Sequence, residues 1–384
     1  MKNRPPRPGA ARPGSSSGRA GGAHAFFASL PAILAILAVA GLMALRIARP
    51  DAVVADGSGP PSALPEPAGK TAGAADAAGP TAGDIPPAGL SLRIATWNVR
   101  DCAISDAKTG ERISLHDGIA AVVRDLRVDI IVFEEIQRDD GKGGDIALLS
   151  VALAKAGWAM PWNSSVESGG QDDLAVFSRY RILSSEAVLA PGEAKAWPRP
   201  GIRAEVDTGA GHLQLYGFHF KAMSDPESQA ARLRQATALA GLLRAEIGAG
   251  TAPGADNVHG IHNTDSSDSS NNAANALIVV GGDFNTTNTD ELSGPGSTLA
   301  MLQLKDNADP SDDFLAANLR YLPGIPTYAD ERYRSVLDHI ILSPAAARSL
   351  VPGSVSIAEL PETNGAAPLS DHRPVLVELS LPLR

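Results

Sequence analysis

The stretch Ile278-Val-Val-Gly-Gly-Asp-Phe-Asn285 decides how the chain is read. Three consecutive β-branched residues make a short buried strand, which runs through two glycines into an acid and an amide. One Asp or Asn at a strand end serves equally well to cap a turn. Here the pattern recurs. Trp97-Asn98 ends an alternating run, Glu134-Glu135 follows Asp129-Ile-Ile-Val-Phe133, and Leu213-Gln-Leu-Tyr-Gly-Phe-His219-Phe-Lys221 ends on a histidine and a lysine. Further on stand Val336-Leu-Asp338-His339 and Leu369-Ser-Asp371-His372-Arg-Pro. Strand ends are where layered α/β domains collect their chemistry, so six such ends predict one shared site.

Between these strands the apolar spacing turns helical. Ile119, Val122, Val123 and Leu126 fall at i, i+3, i+4 and i+7, and Leu233, Thr237, Ala240, Leu243 and Ile247 mark a second, longer helix. Residues 174–177, 213–220 and 276–280 are strand candidates. This alternation from residue 91 to the C-terminus predicts an α/β layered domain. The stretch 248–275 breaks the rhythm. It is rich in Gly, Ala, Asn, Ser and Asp, with Val258 and Ile261 as its aliphatic residues, and is expected to be a disordered surface insertion with solvated His259 and His262.

The N-terminal quarter reads differently. Residues 1–24 are polar and carry Lys2, Arg4, Arg7, Arg12 and Arg19; residues 25–45 then run 21 positions without a charge. At about 1.5 Å per residue that run crosses one bilayer. A transmembrane signal anchor is expected, with a cleaved signal peptide and a secreted product as the alternative. The basic leader places the N-terminus in the cytoplasm and the rest outside. Residues 46–90 form the expected linker; positions 51–90 hold 11 Ala, 7 Gly and 7 Pro, a tether composition.

Composition sets outer bounds. With 44% hydrophobic and 20% charged residues the chain is neither wholly disordered nor a multi-span membrane protein. The single cysteine, Cys102, excludes an intramolecular disulfide framework and any zinc site based on cysteine. Formal net charge is −10, and the part after residue 90 holds 25 Lys/Arg against 38 Asp/Glu. Such a body repels polyanions unless metal ions or a local basic stripe intervene.

Carboxylates and amides without accompanying soft ligands suit a hard cation, Mg²⁺ or Mn²⁺, and two histidines with acidic partners suit proton transfer; the combination fits metal-assisted phosphate ester hydrolysis. Taken in order, T-W-N, D-I-I-V-F-E-E, A-V-F-S-R, H-F-K, G-G-D-F-N, L-D-H-I and S-D-H-R-P resemble the endonuclease/exonuclease/phosphatase superfamily, the DNase I-like phosphoesterases, over about residues 91–384. The resemblance implies a four-layer α/β sandwich of two packed mixed β-sheets flanked by helices. It implies Asn98 at metal and phosphate, Glu135 as principal metal ligand with Glu134 as its rival, and Asp371 completing the metal site. It further implies Asp283 activating water, Asn285 on the phosphate, and His372 facing the phosphate under orientation by Asp338. His219 aligns with the nuclease and sphingomyelinase branches. Arg232 and Gln235 match an R-x-x-Q pattern of secreted bacterial nucleases and make Arg232 a substrate-binding candidate, a solvated helix face being the plain alternative; Arg179 reads as structural.

The activity expected is that of a membrane-tethered, extracytoplasmic endo- or exonuclease, a monomer acting on a phosphodiester, nucleic acid first. A sphingomyelinase-like phosphoesterase acting on lipid headgroups is the runner-up. A catalytically inactive binding module is third.

Overall fold

The protein is represented by a computed structural model that describes residues 89–249 and 276–383, except 106–108, 110–111, 138–143, 169–171, 190–196, 198, 288, 331 and 362–367. The basic tail, the apolar run, nearly all of the linker and positions 250–275 of the expected insertion therefore lie outside the described residues. Among the described residues no helix is long and apolar enough to cross a membrane.

The strands in chain order are β1 (Leu90–Asn98), β2 (Ala103–Ser105), β3 (Arg112–Ser114), β4 (Ile130–Ile136), β5 (Trp162–Val166) and β6 (Asp173–Ser178). They continue with β7 (Arg181–Val188), β8 (Gly201–Asp207), β9 (His212–His219), β10 (Ile278–Asp283) and β11 (Leu315–Ala316). The set closes with β12 (Tyr328–Ala329), β13 (Arg334–Ser335), β14 (Asp338–Leu342), β15 (Ser356–Ile357) and β16 (Val375–Leu381). Two six-stranded sheets result, ordered β15-β16-β1-β4-β6-β5 and β11-β14-β10-β9-β8-β7, while β12-β13 and β2-β3 stand as separate pairs. Both large sheets are mixed: β1 and β4 run parallel, as do β9 and β10, and the other pairs are antiparallel.

Three cores make four layers. Leu92, Ile94, Val132 and Val176 of one sheet meet Leu213, Leu215, Val279 and Ile340 of the other between the sheets. Trp97, Phe133 and Phe177, on the opposite face of the first sheet, pack under Ile119, Val123, Leu149 and Leu153. These come from helices His116–Asp125 and Asp145–Lys155. Phe218, Val280 and Ile341 do the same for the second sheet, under Ala236, Leu239 and Leu243 of helix Pro226–Ala249. The strand residues alternate between cores as a period of two requires. The expected sandwich of two packed mixed sheets with flanking helices is thus observed.

Small residues let the sheets close up above the site. A Cβ on Gly217 would stand 2.6 Å from Val132 Cγ1, and one on Gly281 3.2 Å from Thr96 Cβ. On Gly282 it would meet the Phe218 carbonyl oxygen at 2.0 Å. The paired glycines of the G-G-D-F-N stretch therefore bring β10 against β9 and β1 at the level of the acids.

The neighbour of Asp338 is structural. His339 is fully buried; Asn318 Nδ2 approaches its Nδ1 at 3.3 Å and Thr286 Oγ1 lies 2.9 Å from its Nε2. Thr286 Oγ1 also donates to the Val336 carbonyl at 3.0 Å. That leaves Nδ1 to accept and Nε2–H to donate, the tautomer assigned from its partners. A proton on Nδ1 would face an amide N–H. Burial holds His339 down to about 4, against an ordinary value of 6.5. Between those values the unfolded chain binds the extra proton, so stability is complete above 6.5 and lost on acidification towards 4. We expect His339 to contribute on the order of 3 kcal/mol to that loss. Unfolding titrations across this range should show a flatter pH slope for His339→Gln than for the parent chain; an unchanged slope would refute the assignment.

Candidate active site

The topology places the acids before any side chain is considered. Because β1 runs parallel to β4 and β9 parallel to β10, their C-terminal ends point the same way. Register then sets Asn98 beside Glu134, and Asp283 beside both His219 and Asp338. Adjacent strands are about 4.8 Å apart, so these side chains share one space at the top of the two sheets.

A bulge sends the two neighbouring glutamates to different places. Pairing of β4 with β6 slips between Glu134 and Ile136, and Glu135 adopts φ +53°. Strict alternation would send Glu135 outward with Phe133; the bulge re-aims it. Its Oε1 accepts from Asn98 Nδ2 at 2.9 Å and lies 3.8 Å from His219 Nε2. Glu134 instead points between the sheets, fully buried, accepting from Thr96 Oγ1 at 2.5 Å. Its Oε2 has no partner, and burial raises its carboxyl well above the ordinary range. The geometry favours Glu135 over Glu134 for the site.

Asp283 sits at the centre. Asn98 Nδ2 donates to its Oδ2 at 3.2 Å and the Asn285 backbone N–H to its Oδ1 at 2.9 Å. Asn285, at φ +52°, donates its own amide to the Phe220 carbonyl at 3.3 Å. Burial raises the Asp283 carboxyl, aided by the charges of Asp338 and Glu135 and opposed by His372. His372 Nδ1 lies 2.9 and 3.0 Å from the two oxygens of Asp338, and its Nε2 is 3.7 Å from Asp283 Oδ2. Burial disfavours the imidazolium, yet Asp338 and Asp283 outweigh it and push His372 well up. The Tyr328 ring packs edge-on against His372 at 4.9 Å.

His219 behaves oppositely. Burial, then the charges of Arg199 and His372, hold it well below its ordinary value, so it is neutral. Its Nε2 stands 3.6 Å from Asp283 Oδ2, and its buried Nδ1 has no hydrogen-bond partner. Arg199, which the strand-end reading passed over, donates to the Phe220 carbonyl at 3.1 Å and pairs with Asp172.

Two candidates sit elsewhere. Asp371 does not join the ring of acids; it forms an ion pair with Arg100 at 3.6 Å on the rim and acts on His372 through its charge. Arg232 is fully buried. Its guanidinium grips Glu291 with Nε–Oε1 and NH2–Oε2 distances of 2.7 Å, and its NH1 donates to the carbonyls of Lys221 and Met223. Gln235 accepts from the Lys221 backbone N–H at 3.1 Å. R-x-x-Q is therefore a clamp that fixes the chain leaving His219, neither a substrate contact nor a solvated face. Arg179 is structural as read, paired with Asp129 at 2.7 Å and stacked 4.1 Å over the Trp158 ring.

The donor set fits a hard divalent cation. Glu135 supplies a half-exposed carboxylate oxygen beside Asp283, and Asn98 Oδ1, which accepts the Arg100 N–H at 3.1 Å, keeps a second lone pair. Asp283, Asp338 and His372 also cluster closely enough to hold an ion, but the short contacts from His372 to Asp338 are those of a carboxylate-oriented imidazole.

A family model described as the Endonuclease/Exonuclease/phosphatase family matches residues 95–372. Among solved structures, an endonuclease/exonuclease/phosphatase from Beutenbergia cavernae DSM 12333 is similar at 19% identity and TM-score 0.50, covering 76% of this chain and 72% of that one. A 3′-5′ exonuclease (NExo) from Neisseria meningitidis gives 21%, 0.48, 75% and 100% for the same quantities. TDP2 from D. rerio complexed with single strand DNA product gives 15%, 0.48, 75% and 98%. Curated proteins yield no match.

The clamp has a measurable consequence. Arg232→Met strands Glu291 in the interior, which for a broken buried ion pair costs about 3–5 kcal/mol. Denaturant titration should show that loss, and the folded fraction should keep its KM. A raised KM at unchanged stability would restore Arg232 as a substrate contact.

Proposed function

The chain belongs to the endonuclease/exonuclease/phosphatase family, whose members are hydrolases of phosphoester bonds, and from that premise we propose that it is a divalent-metal-dependent phosphodiester hydrolase acting on nucleic acid. The observation that carries this reading is the convergence of Asn98, Glu135, His219, Asp283 and the Asp338–His372 pair on one end of two sheets.

The roles follow from charge and reach. Glu135 and Asn98 would hold a divalent cation, which would supply charge neutralisation for the scissile phosphate. Asp283, raised by burial, accepts a proton near neutrality and takes it from the attacking water. His372, kept cationic by Asp338, presents Nε2–H to the phosphate oxygens, where negative charge gathers. Asn285 lies two residues beyond Asp283, tied to it by its backbone N–H, and contacts the phosphate. Neutral His219 assists on the leaving-oxygen side. Asp371 holds Arg100 at the rim and completes the electrostatic frame of His372.

Placement is part of the proposal: residues 1–24 inside, 25–45 as anchor, 46–90 as tether, and a monomeric catalytic domain outside. The basic leader and the 21 uncharged positions support it. Lipid headgroups are the second substrate class, favoured by the acidic body and by the tether.

The decisive assay offers the full chain plasmid DNA, RNA, sphingomyelin and a chromogenic phosphodiester with Mg²⁺. Nucleic acid cleavage is expected, abolished by EDTA and restored by Mg²⁺ or Mn²⁺; cleavage of sphingomyelin alone would move the protein to the lipid class. His372→Ala and Asp283→Ala should each lower kcat by about 10²–10³ in folded protein. Near-normal turnover in both would show that neither side chain is catalytic, and no turnover of any of these substrates by the unmutated chain would leave a binding module. For topology, a reporter active only in an oxidising exterior, fused after residue 384, should be active; activity of a cytoplasm-only reporter there would reverse the orientation.

A further inference from the structure

Beyond the hydrolytic centre, a second group of metal-ligating side chains is assembled at the foot of the small hairpin. Cys102 closes the turn that follows β1, His116 opens helix His116–Asp125, and Asp145 opens helix Asp145–Lys155. All three are buried, at 0%, 7% and 5% exposure. A sulfur, an imidazole nitrogen and a carboxylate oxygen, one from each, lie within 4.8 Å of one another.

The chemistry of this set differs from that of the catalytic acids. A thiolate, an imidazole and a carboxylate, with water as fourth ligand, suit Zn²⁺, whereas Mg²⁺ and Mn²⁺ prefer oxygen. Counting cysteines argues only against sites made of several thiolates; one thiolate in a mixed set escapes that count. Each ligand is also held from behind. Ser114 Oγ lies 2.6 Å from His116 Nδ1, and the Gln137 backbone N–H donates to Asp145 Oδ2 at 2.9 Å. Such outer contacts fix ring orientation and tautomer in zinc sites. His116 Nε2 lies 2.9 Å from Asp145 Oδ1, a hydrogen bond whose proton a metal would displace, leaving Nδ1–H to donate to Ser114 Oγ. Helices of 10 and 11 residues begin at His116 and Asp145, and anionic ligands sit favourably at helix N-termini.

The backbone supplies an independent reason for a staple. Arg100, Asp101 and Cys102 have φ of +47°, +57° and +49°. Left-handed conformation costs about 1–2 kcal/mol per non-glycine residue, so three in succession need an anchor. The pair β2–β3 begins directly after Cys102 and ends two residues before His116, and it belongs to neither large sheet. The Leu115 backbone N–H already donates to the Cys102 carbonyl at 2.8 Å across its base, and a bond from Cys102 through a metal to His116 would reinforce that closure.

We propose that Cys102 Sγ, His116 Nε2 and Asp145 Oδ1 bind one structural Zn²⁺, the thiol proton and the proton between His116 and Asp145 passing to solvent as it enters. The site does not touch substrate. It locks the turn from which the Arg100 N–H reaches Asn98 Oδ1 and the Arg100 side chain reaches Asp371.

The test needs no activity measurement. The full chain, produced with zinc and stripped of loosely held ions, should carry about one zinc per chain by elemental mass spectrometry. Cobalt(II) exchanged into the unmutated chain should give a thiolate-to-cobalt charge-transfer band and tetrahedral d–d absorption. Cys102→Ser should lose the band, and Asp145→Asn should weaken zinc retention by about 10–100-fold or more. No zinc and no thiolate band in the unmutated chain would overturn the proposal. So would zinc that survives Cys102→Ser but is lost in Asp283→Asn, since it would then sit at the hydrolytic centre.

Discussion

Four carboxyl groups, from Glu134, Glu135, Asp283 and Asp338, are forced together where two sheets end, and the site is organised by the need to neutralise them. Water does not do so, because Glu134 and Asp338 are fully buried and Asp283 nearly so. The structure answers with a proton on Glu134, a cationic His372 between Asp338 and Asp283, and the Asn98 amide spread across Glu135 and Asp283. Like charges at such separations in a low-dielectric interior repel by several kcal/mol unless compensated. Buried Glu134 therefore serves as a neutral floor, while partly exposed Glu135, its carboxyl raised by burial against the Asn98 hydrogen bond, presents an oxygen that a cation could take. Burial also removes the charge that a second glutamate next to Glu135 would otherwise add.

Backbone geometry delivers the acids with little freedom. Glycines at 217, 281 and 282 let β9, β10 and β1 approach until Thr96 lies against Gly281. Left-handed residues Glu135 and Asn285 then bend the chain as it leaves the sheets, turning both side chains inward. Non-glycine residues in that region cost about a kilocalorie or more each, and such strain concentrates at functional sites. The Arg232–Glu291 clamp and the His339–Thr286–Asn318 network lie just behind these bends. Rigid packing on the far side of each bend is what keeps strained residues in place.

Much of this was legible in the sequence because strand ends announce themselves. An apolar run that stops at Asn98, Glu135, His219 or Asp283 predicts both the strand and the polar end, and the Asp338–His372 pair followed from the motifs that hold them. What stayed hidden depended on tertiary context. β7 was missed because its run Arg-Ile-Leu-Ser-Ser-Glu-Ala-Val is exposed at a sheet edge and carries no buried alternation. R-x-x-Q misled because helical spacing does not reveal which face another loop will cover. The resemblance already put Glu135 ahead of Glu134, but the bulge that turns Glu135 into the site has no sequence signature, and Cys102, His116 and Asp145 are brought together by three separate elements.

Acidity of the body and a polyanionic substrate are reconciled by distance. The excess of acids over bases after residue 90 is spread over the whole domain, and exposed charges more than about 8 Å away are largely screened at physiological salt. What a substrate strand meets at the mouth is local. Arg100 stands beside Asp371, and the β12–β13 hairpin that carries Tyr328 against His372 also exposes Arg332, Tyr333 and Arg334. Those side chains set point cations and an exposed ring beside His372, groups of the kind that meet a phosphate and a base in the proposed nucleic-acid substrate.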